Sequence, residues 1–293
     1  MLQPAVFFMS DLLNLSNALS ALAASVAPRI IAVEGADGRQ VSGFIWRTGL
    51  AVTAHEVLEG EDEAEVLLAD DRVLKATIAG RDPSTDVALL KFETGEFADW
   101  SATDAVLPGS LALVAGRSEA SLIASLASVT EVGPAWRSMR GGDIAARVTL
   151  GLRLSGHTEG GAVVAPDGSL IGMAVTGAGR RAIAIPAATI ARAVATLADK
   201  GYVPRGWLGV VLHPLGKGGG AIIVGLEADS PAAQAGLLVG DIITTWNGEV
   251  INSVGAISDR LGTGAVGAKV KLGVQRGGNA EQYDIAIGER PRR

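Results

Sequence analysis

Two of the chain's three histidines stand beside glutamates: His55–Glu56 in "TAHEVLEG" and His157 two residues before Glu159 in "SGHTEGGAVV". Imidazole and carboxylate together are ligands suited to Zn²⁺ or another first-row metal, and a metal so held could assist hydrolysis. His55, His157 and Glu159 are the candidate metal set. The competing possibility is that the histidines pack or make surface hydrogen bonds while the glutamates are solvated. With no cysteine in the chain, disulfides, thiolate catalysis and zinc–thiolate sites are excluded together. No cofactor is required by anything in the sequence.

The elements that must position these groups are short. Apolar residues make up 48% of the 293 and charged residues 19%, so a sizeable core forms and wholesale disorder is excluded. Thirty-nine glycines and short apolar runs favour many strands and tight turns over long helices. A net charge of −6, with Lys and Arg spread along the chain, gives no basic footprint for nucleic acid. The start, "MLQPAVFFMSDLLNL", lacks a positively charged leader and its apolar run is too short to span a bilayer. That favours a cytoplasmic chain, although a mature exported form without its signal would look the same and would be periplasmic.

Leu12, Leu15, Leu19 and Leu22 recur at helical spacing, so a helix is expected over 11–27, capped by Ser10 or Asp11 and stopped by Pro28. From Ile30 to about Val175 the texture is strand and turn: "RIIAVEG", "VSGFIWRTG", "LAVTA", "DVALLKF", "LALVAG". "AIAIPAATIARAVATLAD" (182–199) reads as a strand entering an alanine-rich helix, and "KGYVPRG" (200–206) as a linker. Beyond it a short helix opens at Ser230–Pro231 and closes near Gly236, with proline and glycine at the ends that suit them.

Several of these segments, in order, resemble the HtrA/Deg group: "VSGFIW" before "GLAVTAHEVLEG", then "GRDPSTDVALLKF", "GGAVVAPDGSLIGMAV", "AIAIPAATIARAV", "RGWLGV" and "SPAAQAGLLVGDIITTWNGEVI". The resemblance covers nearly the whole chain. It implies a mainly β protein, a chymotrypsin-like double β-barrel followed by a PDZ domain. The expected divisions are an N-terminal segment over 1–28, a trypsin-like domain over 29–200 and a PDZ domain over 205–293.

The chemistry of that group needs a serine, a histidine base and an aspartate that orients the base. Carried over residue by residue, the aspartate falls on Asp86. The gapless match of "TAHEVLEG" puts Glu56 at the base position, with His55 one place early. A one-residue shift would instead restore His55 as base. "HTEGGA" puts Glu159 at the nucleophile and His157 where the oxyanion hole uses a bare glycine. Glu56, Asp86 and Glu159 would then share one cleft and could not all ionise cheaply. A carboxylate is a weak nucleophile towards amides, and a side chain at 157 crowds an oxyanion hole. The resemblance therefore implies a pseudoprotease that binds peptides or partner proteins, in a group associated with protein quality control. Two alternatives stay open: an active endopeptidase using His55 and an unrecognised nucleophile, and a metal-binding pseudoprotease.

In the last third, "RGWLGV" resembles a carboxylate-binding loop. Trp207, Leu208, Gly209 and Val210 would present backbone N–H groups to a peptide C-terminus, which adds as a strand. "NSVGAISDRLG" (252–262) would be the groove helix, capped by Asn252 or Ser253, with Ile257 and Leu261 on one face, lining the side-chain pocket or joining the core. Phe7 and Phe8 resemble the aromatic residues through which this group forms trimers, so a homo-oligomer is expected.

Overall fold

The computed structural model describes residues 4–35, 38–216, 219–262 and 264–291, and only the backbone over 4–9. The chain divides into two compact units, Met1–Tyr202 and Val203–Arg293.

The first unit opens with helix α1, Pro4–Val26. It begins two turns earlier than the leucine spacing predicted, because "AVFFM" contains nothing that stops a helix and Pro4 suits a first position. Asp11 is thus inside the helix rather than its cap. Pro28 lies in the short 3₁₀ turn Ala27–Arg29 that follows. Phe7 and Phe8 have side chains outside the described residues.

Six strands then close into a barrel: β1 (Ile30–Glu34), β2 (Gln40–Arg47), β3 (Leu50–Ala54), β4 (Glu63–Leu67), β5 (Val73–Asp82) and β6 (Val87–Lys91), in the order β1-β2-β3-β6-β5-β4. Their alternation sets the inside: on β4, Glu63 and Glu65 face water while Ala64 and Val66 are buried, as a period of two requires. Ile31, Val33, Ile45, Leu58 and Leu90 fill this barrel.

After β7 (Leu111–Ser118), β8 (Ser121–Gly133), the small hairpin β9 (Trp136–Arg137) and β10 (Asp143–Ile144), and β11 (Arg147–Leu150) come β12 (Ala162–Val164), β13 (Leu170–Thr176) and β14 (Ala182–Pro186). A second barrel closes as β11-β14-β13-β12-β7-β8 around Val114, Val129, Val148, Val163 and Ile171. Helix α2, Ala187–Lys200, packs on strands of both barrels. Gly80 lets it close: a Cβ there would lie 2.4 Å from the carbonyl oxygen of Gly201.

Arg117 joins the barrels from within. It is 3% exposed, and its guanidinium donates to the carbonyls of Ile30 (2.7 Å), Ala120 (3.0 Å) and Ala27 (3.3 Å). Its backbone N–H donates to Ser42 Oγ at 2.8 Å.

The second unit contains β15 (Gly206–Trp207), β16 (Val210–Pro214), β17 (Ala221–Leu226), helix α3 (Pro231–Gln234), β18 (Ile242–Trp246), β19 (Glu249–Val250), helix α4 (Val254–Arg260), β20 (Lys269–Arg276), β21 (Asn279–Ala286) and β22 (Gly288–Glu289). Its main sheet runs β16-β17-β18-β20-β21 over a core of Leu208, Ile223, Trp246, Leu272 and Ile285. Ser230 caps α3 and Ser253 caps α4, each accepting from the N–H three residues on. Both match the sequence expectation.

Candidate functional site

The turn between β5 and β6 builds the first half of the site. Asp82 accepts from the Ser84 and Thr85 hydroxyls, which folds Pro83–Thr85 back and delivers Asp86 at φ 59°, a left-handed conformation that Asp tolerates better than most residues. Asp86 Oδ1 then accepts two backbone N–H groups, from His55 at 3.0 Å and Glu56 at 3.3 Å. Both donors sit at the start of the 3₁₀ turn His55–Leu58 that follows β3. Glu56 and Asp86 line one cleft. His55 does not line it: its ring is sealed in, 3% exposed, and Nδ1 meets no hydrogen-bond partner.

The stretch between β11 and β12 builds the other half. A 3₁₀ turn, Gly156–Thr158, leads into Glu159, whose carbonyl accepts from Ser42 N–H at 2.9 Å. The glycine pair after it is dictated by close approach. A Cβ on Gly160 would lie 2.2 Å from the carbonyl oxygen of Ser42, and one on Gly161 2.4 Å from that of Ala115. Glu159 Oε1 accepts the N–H of Thr176, a cleft residue, at 3.0 Å. The backbone N–H of Glu159 is itself committed, to Gly156 O at 3.4 Å. His157 is exposed and its carbonyl accepts from Ser42 Oγ. Thr158 is buried and its hydroxyl donates to Ser155 O at 3.0 Å, while Ser155 is exposed.

Burial pushes the Asp86 carboxyl up to about 7, and the negative charges of Glu56 and Glu159 push the same way; the two N–H bonds oppose them. Asp86 is therefore poised between its charged and neutral forms near neutral pH. Burial pushes the His55 imidazole down, with Glu59 opposing and the Arg140 and Arg81 charges reinforcing.

His55, His157 and Glu159 do not form the metal set that the sequence suggested. Among the described residues no three His, Asp or Glu side chains are grouped to hold a metal ion. The geometry offers instead a mixed-charge groove. Of about 320 Å³, it carries acids on the first-barrel side and Arg140, Arg147 and Arg181 among its other lining residues. The β9–β10 hairpin crosses to the first barrel here. Ser138 Oγ donates to Ser84 O at 2.5 Å, and Arg140 Nη2 reaches Glu56 Oε1 at 3.4 Å. Gly142 makes the approach possible, since a Cβ there would sit 2.2 Å from Ser84 O. Ser138 and Arg140 escaped the sequence analysis. The adjacent Gly141–Gly142 pair was the available signal for a tight tip.

In the second unit Trp207, half-buried, pairs through β15 with Gly288 of β22. Leu208 is buried, and Gly209 turns the chain at φ 76°, where a Cβ would sit 2.1 Å from Ser230 Cβ. The carbonyls of Leu208 and Gly209 accept from Ala232 (3.0 Å) and Glu227 (2.8 Å). Their N–H groups donate to nothing among the described residues. Val210 then opens β16, which among the described residues pairs only with β17 and packs beside α4. Ile257 is 1% exposed and part of the core, with half-buried Leu261 packed against it. Of the two roles expected for Ile257, the core one dominates.

Residues 41–173 match the family model of the trypsin-like peptidase domain, and residues 206–287 that of the PDZ domain. Among curated proteins, the chain is similar to a "Probable periplasmic serine endoprotease DegP-like" of Brucella suis biovar 1, 30% identical over 86% of this chain and 53% of that protein. A protein of the same name from Pseudomonas putida is 31% identical over 85% of this chain and 56% of that one. The chain thus spans about half the length of the curated relatives it matches. Among solved structures, "HtrA-type protease AlgW with decapeptide" superposes with a TM-score of 0.74 at 23% identity, covering 93% of this chain and 99% of the other. The serine endoprotease from Yersinia pestis superposes with a TM-score of 0.75, again at 23% identity, covering 93% and 98%. No helix among the described residues is long and apolar enough to cross a membrane. A closed six-stranded barrel pair followed by a PDZ domain is the architecture of a trypsin-like domain joined to a PDZ domain, and the chain is similar to proteins of the HtrA/DegP type.

Proposed function

We propose that this chain holds peptides without cutting them by serine chemistry, and that its PDZ domain is the recognition element. One observation carries the proposal: Asp86 Oδ1 accepts the N–H of both His55 and Glu56, with Glu56 in the cleft and the His55 ring outside it. The partner that a serine hydroxyl would need is a carboxylate. At the nucleophile position stands a second carboxylate, Glu159, tied to Thr176. A carboxylate at each position supplies neither a nucleophile for amides nor a base of the usual strength. The sealed His55 ring argues against the alternative in which His55 serves as base.

The free N–H groups of Leu208 and Gly209, beside the open edge of β16, support capture of a peptide C-terminus as an added strand. The relatives' names support a periplasmic compartment for this chain, and the group resemblance a trimer, which sedimentation of the purified chain would test. The decisive experiment is hydrolysis of a fluorescent unfolded protein by the wild type and by Glu159→Ala. Neither is expected to cut. Cleavage by the wild type that the substitution abolishes would make Glu159 catalytic and end this reading.

A further inference from the structure

The first unit holds a second cavity, about 630 Å³, that shares no lining residue with the cleft. It opens at the mouth of the second barrel, where Val148 and Ile171 of that barrel's core form its floor. Trp46 and Trp100, both half-buried, form a wall, and α2 contributes a flank of alanine methyl groups, including the exposed Ala188. The charged residues among those that line it are Asp99 and Asp104, both exposed at the rim; no Lys or Arg joins them. This contrasts with the cleft, where arginines stand among the acids.

We infer that this cavity binds a small organic cation, an ammonium group on an apolar body. A concave site of this size at a barrel mouth, apolar with a few convergent polar groups, has the dimensions of a small-molecule site. The indoles of Trp46 and Trp100 attract a cation through their quadrupoles, and Asp104, beside Asp99 whose charge Arg29 already meets, adds a negative field that an apolar neutral molecule would not use. The protein already uses this chemistry on itself. Arg29, which does not line the cavity, stacks 4.7 Å above the Trp100 ring and 5.4 Å above that of Phe97. An ammonium head at Asp104 leaves the body of the ligand against Val148 and Ile171. The volume suits a free amine rather than a folded partner.

The test titrates the full chain with benzyltrimethylammonium, followed by tryptophan fluorescence, with benzyl alcohol as the uncharged probe of the same aromatic body. The cation is expected to bind saturably and about tenfold more tightly than the alcohol. Asp104→Asn, at an exposed side chain that the fold does not need, weakens the cation about threefold or more and leaves the alcohol unchanged. Ala188→Leu, filling the mouth from an exposed position, abolishes both signals. Equal affinity for the two probes, indifference of the cation to both substitutions, or no saturable signal would each overturn the inference.

Discussion

The cleft of the barrel unit and the loop of the PDZ unit, both proposed to take peptide, are built from different parts of the chain. At the cleft the chemistry resides in side chains: Glu56 and Asp86 line it and Glu159 is tied to its Thr176, on a frame of turns and close-packed glycines. In the loop it resides in the main chain, in N–H groups of Leu208 and Gly209 that meet no acceptor among the described residues, at a left-handed glycine. A side-chain site changes its chemistry by substitution while the frame stands. A main-chain site keeps its chemistry under almost any substitution, and loses it when the frame moves.

If that difference is real, the cleft should be recoverable and the loop fragile. Combining Glu56→His, Glu159→Ser and His157→Gly is expected to raise hydrolysis of an unfolded substrate from background by about 10³-fold or more, measured by release of fluorescence. No gain would mean that the frame, and not only the side chains, has departed from a working site. Conversely, Gly209→Ala forces φ 76° and a 2.1 Å contact on a residue with a Cβ. It should weaken binding of peptides with apolar C-termini about 100-fold and destabilise its unit by about 2 kcal/mol; calorimetry and urea unfolding read both.

Two smaller effects sharpen the electrostatics of the cleft. The folded protein holds the Asp86 proton more tightly than the unfolded chain, since its carboxyl rises from 3.8 to about 7. The stability this confers is fully present below about pH 4 and is lost as the pH rises through 7. Asp86→Asn keeps the acceptor for the two N–H groups and suits the left-handed backbone. It is expected to gain about 2 kcal/mol over the wild type at pH 8 and nothing at pH 4, by urea unfolding. An unchanged pH profile would mean that burial and the neighbouring charges do not raise the Asp86 carboxyl. Last, Arg140→Ala breaks an exposed pair with Glu56 and should shift stability by no more than about 0.5 kcal/mol, with little salt dependence.

Much of the frame was legible in the sequence because its signals are local. Alternating burial on β4, Ser230 and Ser253 as caps, and Gly160–Gly161 before a small apolar strand are each decided within a few residues. The start of α1 was not, because nothing in "AVFF" distinguishes a helix from a tail without its surroundings. The surroundings of the two histidines were not legible either: His55 and His157 are alike in sequence, yet one is buried while the other is exposed. The pairing of Arg140 with Glu56 spans 84 residues, and no pattern along the chain announces it.

Arg117 carries a consequence in time rather than in space. The first barrel can finish its ladder once Lys91 of β6 has been synthesised, but the carbonyls of Ala27 and Ile30 wait for a guanidinium 87 to 90 residues later. Nascent chains released before residue 117 therefore hold β1 by its ladders to β2 and β4 alone, and the clasp closes late. Contacts of such long sequence separation form slowly. The carbonyls at the entrance of the first barrel meet that guanidinium only after the first strand of the second has been made.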